Sequence, residues 1–238
     1  MQPKMGIERG FSKLWYINRL SILRGMNEEE MQRVAEMTRM TKHRRGELIY
    51  LPGDVSNSIY FLKEGRIKLI GLSEDGREVL LDLIGPGEIF GEVGATQEAP
   101  RTTSAEVLED VLLCEMNRKD FEALLLMHPE MSLRILKRVG FRLKKLEAQM
   151  LSLICKDVPT RVREALVNLM DVGSASKQDP PVKIALTQQD VANLIGASRQ
   201  ETSRALNHLE DAGVLELKYR SIVVKAPELL RRSRSIAN

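Results

Sequence analysis

The stretch "TQQDVANLIGASRQETSRALNHLEDAG", residues 187–213, constrains the fold of this chain more than any other. Thr187 and Asp190 have the hydroxyl-x-x-acid spacing of a capping box, in which each side chain satisfies a backbone N–H of the other at a helix start. Ser198 and Glu201 repeat that spacing, so a second helix begins at about Arg199. Between them stands Gly196, where a sharp turn needs a residue free of the Cβ penalty. Ala192, one helical turn earlier, is small enough to let the second helix cross closely, and Val191, Ile195, Ala205 and Leu209 face inward. The pattern is a helix-turn-helix, whose second helix lies in the DNA major groove and reads bases from its N-terminal end.

Side-chain chemistry follows from that placement. Arg199 and Gln200 occupy the first turn of the second helix, and Ser203 and Arg204 lie one turn on along the same face. An arginine fork matches guanine O6 and N7, a glutamine matches adenine N6 and N7, and a serine hydroxyl reaches either type of edge. Thr187, Ser198, Lys218 and Arg220 are placed to touch phosphates, which sets register rather than sequence. The last two belong to "LELKYRSIVV", read as a two-stranded wing.

Charge agrees with a polyanionic partner for the C-terminal half. Residues 1–128 carry 17 Lys/Arg against 21 Asp/Glu, residues 129–157 carry 7 against 3, and residues 158–238 carry 12 against 9. The basic excess therefore lies wholly beyond residue 128. With 43% apolar and 29% charged residues the chain reads as an ordinary globular protein of one large domain or two modest ones. No apolar run approaches the roughly 20 residues of a membrane span, and the start has no secretory pattern, so the expected location is the cytoplasm with no membrane partner. Cys114 and Cys155 are too few for a disulfide framework, a four-thiolate zinc site or an iron-sulfur cluster. His43, His128 and His208 are scattered, so neither a metal site nor a haem is expected, and no nucleophile motif, catalytic dyad or Walker loop points to an enzyme.

A long helix precedes the helix-turn-helix. From His128-Pro129 nothing breaks the pattern until Pro159, and Pro129 suits a first helical turn. Leu136, Val139, Leu143, Leu146, Met150 and Leu153 step by 3, 4, 3, 4 and 3, a heptad seam on a helix of about 28 residues and roughly 40 Å. Lys137, Arg138, Arg142, Lys144 and Lys145 on the other faces leave only a narrow apolar stripe. That stripe favours a parallel homodimer over packing within one domain.

Residues from about Gly46 to Asn117 alternate short β-type runs with glycine, as in an antiparallel sandwich or barrel. "SEDGRE", residues 73–78, places Asp75-Gly76 as a tight hairpin turn between strands near 66–72 and 77–83. Ahead of it, Asn27–Met37 opens with a capping residue and acids, the signature of a short helix. Within the β region, "FGEVGATQEAPRTTSA" sets Glu92 and Arg101 on either side of a small-residue loop, either as a mutual ion pair or as the two walls of a pocket.

Taken in this order, the elements resemble the cyclic-AMP receptor protein and fumarate-nitrate reductase regulator (Crp/Fnr) family of bacterial transcription factors, from about Ile22 to Pro227. The resemblance implies an α+β chain: an N-terminal cyclic-nucleotide-binding-like β-roll (a jelly roll) in residues 1–127, a dimerisation helix in 128–157 and a winged helix-turn-helix in 158–238. It implies a homodimer on a palindromic promoter site, in contact with RNA polymerase, with Arg199, Gln200 and Arg204 at the base-reading positions. Gln200 stands where the best-known member has glutamate, so the preferred half-site is expected to differ. "FGEVGATQEAPRTT" is similar to the family's phosphate cassette. By that likeness Arg101 pairs with a cyclic phosphate, Thr102 donates to it, Glu92 accepts from the ribose hydroxyl and Gly91 lets the backbone approach. Cyclic AMP or another cyclic nucleotide is then the implied effector. The positions that supply adenine-facing hydroxyls in cyclic-AMP-responsive members fall here on Leu146 and Glu147, neither of which is a hydroxyl. An effector-independent regulator with an empty pocket is the alternative within the family.

Overall fold

The computed structural model describes residues 20–91, 100–172 and 180–232. A single 3-10 turn, Ser21–Leu23, leads to α1 (Glu28–Met37), whose N-cap Asn27 forms a reciprocal capping box with Glu30. The β region holds β1 (Thr38–His43), β2 (Leu48–Tyr50), β3 (Ser58–Leu72), β4 (Glu78–Ile84), β5 (Ile89–Phe90) and β6 (Ser104–Asn117). Every pairing is antiparallel, in the order β1-β6-β3-β4, with β2 added on β6 and β5 on β3. Strands β3 and β6 pair along nearly their whole length, and their register shifts near Leu62–Ile67 bend the ladder into a roll.

Alternation along these strands sorts side chains between two cores. Tyr60, Leu62, Ile67 and Leu69 of β3 turn into the roll with Tyr50, Phe90, Val107 and Leu113. Their neighbours Ile59 and Phe61 turn the other way, with Cys114 and Met116, onto α1 and α2 (Arg118–Met127). The expected Asp-Gly hairpin differs in detail. Ser73–Arg77 form a five-residue loop closed by Ser73 N donating to Arg77 O at 3.0 Å, and Gly76 alone takes positive φ there. The Ser73 hydroxyl hydrogen-bonds Asp75 and Arg77, which gives the wider loop its own polar core and removes the need for a two-residue turn.

The long helix α3 runs from Pro129 to Cys155, with Pro129 in its first turn. Beyond it come α4 (Val158–Val172), β7 (Val182–Ile184), α5 (Gln188–Ile195), α6 (Arg199–Asp211), β8 (Leu215–Lys218), β9 (Ser221–Val224) and α7 (Pro227–Arg232). Strands β7, β9 and β8 form a small antiparallel sheet. Neither α2 nor α4 is distinguished by the patterns above. Each nonetheless starts on a local cap: Asn117 Oδ1 accepts from Lys119 N at 2.9 Å, and Asp157 Oδ1 accepts from Thr160 N at 3.0 Å.

The third core crosses from the roll into the C-terminal region. Ile70, Leu80, Leu83 and Leu108 of the roll share one buried cluster with Leu166, Met170, Val191, Ile195 and Leu206. A charged contact seals it: Lys68 Nζ lies 3.0 Å from Glu106 Oε1 on its own sheet and 3.2 Å from Asp190 Oδ1 on α5. Lys68 is only 8% exposed. A lysine that buried is tolerated because two carboxylates surround its ammonium.

Candidate functional site

The first surface is built by the two capping boxes. Thr187 Oγ1 accepts from Asp190 N at 3.0 Å and starts α5, and Ser198 Oγ accepts from Glu201 N at 3.2 Å and starts α6. Between them Gly196 adopts the left-handed conformation at φ 59°, and its N–H and that of Ala197 both donate to Ala192 O. A side chain on Gly196 would also meet Leu153 of α3, whose Cδ2 lies 3.0 Å from the position a Cβ would take. The last residue of the heptad seam thus rests on the turn of the helix-turn-helix.

Helix α6 buries Thr202, Ala205, Leu206 and Leu209. The opposite face leaves Arg199, Gln200 and Arg204 exposed and Ser203 half-buried at its edge. Neither arginine forms an ion pair among the described residues. Solvated, unpaired guanidinium groups at the first turns of a well-anchored helix are free to meet base edges. Glu201 shares that end, and its carboxyl is held below the usual range first by the Ser198 hydroxyl and then by the Ser198 backbone N–H.

The four residues expected at phosphates fare differently. The hydroxyls of Thr187 and Ser198 are both engaged with their capping acids, at 2.7 and 2.6 Å. Lys218 pairs with Glu216 at 3.3 Å on the exposed wing. Arg220 sits in the two-residue turn between β8 and β9 with φ 56°, next to Tyr219, which is 91% exposed.

The second surface lies in the roll. Arg101 is pinned through its backbone: its N–H donates to Asp54 O, and its carbonyl accepts from Gly53 N, both at 2.8 Å. The residue is 3% exposed. The guanidinium carbon lies 3.9 Å from the Tyr50 ring centroid and 5.5 Å from that of Tyr60, while Nη2 donates to Ser58 O at 2.9 Å. Nη1 is buried without a hydrogen-bond partner among the described residues. A buried donor left unmatched is costly unless something else satisfies it. Tyr50, Tyr60 and Phe90 stack behind it, and burial, the largest cause, raises the Tyr60 phenol above its ordinary value, with Glu115 adding to the effect.

Gly91 closes this arrangement at φ 106°, in the left-handed region that only glycine occupies without strain. A Cβ there would stand 2.9 Å from Ser58 O, 3.0 Å from Tyr60 Cδ2 and 3.4 Å from Arg101 Nη1. Gly91→Ala is therefore expected to destabilise the roll by about 1–3 kcal/mol and to displace the Arg101 side chain. Thermal unfolding of the variant checks the first effect, and an unchanged midpoint would refute it. Glu92, expected at the ribose, lies outside the described residues, as do 93–99.

Gly91, beside the Arg101 side chain in space, and Thr102, next to it in sequence, join Tyr50, Phe90 and Thr103 in the roll-side wall of a cavity of about 890 Å³ closed by α3 on the other side; Arg101 itself lies behind that wall rather than in it. The helix contributes Ile135, Arg138, Val139, Phe141, Arg142 and Lys145. Leu146, at an adenine-facing position by likeness to the family, lines instead a neighbouring cleft of about 520 Å³ between α3, α4, α5 and β4, which shares Leu81, Asp82 and Lys145 with the first. The cations of α3 were legible as a basic face, but nothing in the sequence placed them at this cavity.

The heptad residues Leu136, Val139, Leu143, Leu146, Met150 and Leu153 are all 47–67% exposed in the single chain. Phe141, Leu151 and Ile154 add further exposed apolar surface on the same helix. Among the described residues no helix is long and apolar enough to cross a membrane, and no cluster of metal-ligating side chains occurs.

Comparison with known proteins bears on both surfaces. The cyclic nucleotide-binding domain family matches residues 40–128, and the Crp-like helix-turn-helix domain family matches residues 160–233. The chain is 29% identical to a CRP-like cAMP-activated global transcriptional regulator of Mycobacterium tuberculosis, over 90% of this chain and 96% of that one. It is 28% identical to the cyclic AMP receptor protein of Thermus thermophilus, over 88% and 94%. Its fold is similar to that of the c-di-GMP responsive global regulator CLP of Xanthomonas campestris, with a TM-score of 0.70 at 22% identity over 84% of this chain and 99% of that one.

Proposed function

The chain belongs to the Crp/Fnr family of transcription regulators, and from that membership we propose a homodimer that binds a palindromic DNA site and is gated by a cyclic nucleotide held at Arg101. The observation that carries the gating is Arg101, a residue only 3% exposed, whose guanidinium Nη1 is unmatched among the described residues. A cyclic phosphate supplies the missing acceptor through a charge-assisted hydrogen bond. Thr102, in the cavity wall, is the second donor, and Gly91 permits the approach. Support for dimerisation comes from the exposed heptad stripe of α3, which needs a cover of matching shape, and a second copy supplies one. Two copies present two α6 helices, which suits a site of two half-sites about 34 Å apart. RNA polymerase is the further partner by likeness to the family.

Gln200 shapes the expected operator. Glutamate at that position accepts from cytosine N4, whereas glutamine pairs with adenine N6 and N7, so an adenine is expected in the half-site opposite Gln200.

Calorimetric titration with cyclic AMP and cyclic GMP tests the gating. The native dimer is expected to release or absorb heat with at least one of them, and Arg101→Ala to abolish the signal while keeping the far-ultraviolet circular dichroism of the fold. No heat with either nucleotide or with a cyclic dinucleotide, combined with specific DNA binding by the bare protein, would replace this reading with effector-independent regulation.

A further inference from the structure

The α3 wall of the cavity carries more positive charge than one cyclic phosphate at Arg101 requires. Arg138, Arg142 and Lys145 are spaced by four and three residues, so they share one face of the helix, and all three line the cavity with Thr102 and Thr103. Arg138 Nη1 donates to Gly87 O at 2.8 Å and is thereby fixed at the rim. The other two converge on one carboxylate: Arg142 Nη2 is 3.1 Å from Asp82 Oδ2, and Lys145 Nζ is 2.8 Å from Asp82 Oδ1. Asp82, on β4, has a side chain only 12% exposed, whereas those of Arg142 and Lys145 are 44% and 46% exposed. One largely covered anion, whose Oδ1 also accepts from Leu83 N at 2.9 Å, therefore faces two cations that remain open to solvent. The other carboxylate in the wall, Glu88, is turned away to accept from Gly85 N at 2.6 Å. No side chain that α3 presents to the cavity is a hydroxyl or amide suited to an adenine edge.

We propose that Arg142 and Lys145 form a second anion subsite, occupied in the ligand-free chain by the Asp82 carboxylate, and that the effector is a nucleotide carrying two phosphates, of the cyclic dinucleotide kind. The inference rests on reading the cavity as the nucleotide pocket. One phosphate goes to Arg101, and the second takes the place of Asp82 on α3. A phosphodiester and a carboxylate each carry a single negative charge and offer paired oxygens to a guanidinium and an ammonium, so the phosphate matches the two cations it takes over from Asp82. At about 890 Å³ the cavity is near the upper end of the range of small-molecule sites, which leaves room for a second nucleoside.

The exchange also has a mechanical consequence. Asp82 belongs to the roll, and Arg142 and Lys145 belong to the dimer helix, so a ligand that replaces Asp82 removes a tether between them and substitutes its own. A ligand moves a conformational equilibrium only through contacts that differ between the two states, and this is such a contact. Coupling to α3 therefore passes through residues 142 and 145 rather than through 146 and 147.

The test is calorimetry of the full-length dimer with four probes: cyclic AMP, cyclic GMP, cyclic di-AMP and cyclic di-GMP. At least one dinucleotide is expected to bind more tightly than either mononucleotide. Arg142→Ala and Lys145→Ala are each expected to weaken the dinucleotide about tenfold more than they weaken cyclic AMP. Asp82→Asn removes the competing anion and is expected to tighten the dinucleotide. Mononucleotides binding at least as tightly, or equal losses for both ligand classes, would overturn this inference and leave the Arg101 reading standing. Binding of none of the four probes would overturn both. Circular dichroism and sedimentation of each variant establish that fold and dimer are intact.

Discussion

Arg199→Ala combined with Arg204→Ala is expected to abolish sequence-specific DNA binding while leaving the protein folded. Each bidentate arginine–guanine contact discriminates by roughly 1–3 kcal/mol, so losing both costs roughly 2–6 kcal/mol, at least about thirtyfold in affinity for the operator. The fold survives because both guanidinium groups are exposed and form no ion pair among the described residues, while α6 is held by the buried Thr202, Ala205, Leu206 and Leu209. Binding to unrelated DNA is expected to persist and to weaken steeply with salt, since Arg220 and Lys218 remain on the wing. Fluorescence anisotropy at fixed salt, with operator and scrambled duplexes side by side, measures both quantities. Retention of the operator preference in the double variant would move base reading off α6 altogether. A companion Gln200→Glu variant is expected to exchange the adenine preference for cytosine at one position of each half-site.

The second large effect concerns the contact between the roll and the helix-turn-helix. Lys68→Met keeps the length of the side chain but leaves Glu106 and Asp190 facing each other without the ammonium between them. Removing one partner of a buried pair costs about 3–5 kcal/mol, and the lower end applies because Glu106 keeps 27% of its side chain exposed. About 3 kcal/mol corresponds to a fall in the unfolding midpoint of roughly 6–12 °C. The wild-type contact also gives a sign for pH. Burial raises the Asp190 carboxyl, but the Thr187 hydroxyl and backbone N–H, together with Lys68, outweigh it and hold the folded value below the ordinary one. A carboxyl depressed in the folded state contributes stability that is fully present above the unfolded value, near pH 4, and is lost as pH falls through the lower folded value. Acid unfolding monitored separately for the two halves is therefore expected to show the Lys68→Met protein losing less of its stability between pH 5 and pH 3 than the native one. Equal acid sensitivity and an unchanged midpoint would show that the apolar cluster alone holds the two parts together.

The helix-turn-helix was readable in the sequence because its determinants are local. Thr187 with Asp190 and Ser198 with Glu201 act across three residues, and Gly196 acts within a single turn, so spacing alone carries the information. The long helix was readable for the same reason: its seam recurs every three or four residues and Pro129 opens it, but it ends at Cys155 with Lys156 extended, and Pro159 lies in the first turn of α4. The Asp75-Gly76 loop was readable as a turn but not as a five-residue one, because loop width depends on the register that β3 and β4 adopt against each other. Helices α2 and α4 carry signals of the same local kind, caps at Asn117 and Asp157 and, on α4, a buried face of Val162, Leu166, Leu169 and Met170 at helical spacing.

Local order along the chain, then, determined the two helices of the helix-turn-helix, the heptad stripe of α3 and the roll of short strands between glycines, since capping, heptad periodicity and strand alternation are each satisfied within a few residues. Tertiary structure alone decided which charges meet. Lys68 reaches Asp190 across 122 residues, Asp82 gathers Arg142 and Lys145 from a helix 60 residues on, and Arg101 comes to lie on Tyr50. The physical reason is that a charge takes its partner from whatever the folded surface brings within a few ångströms, and no periodicity along the chain encodes that meeting.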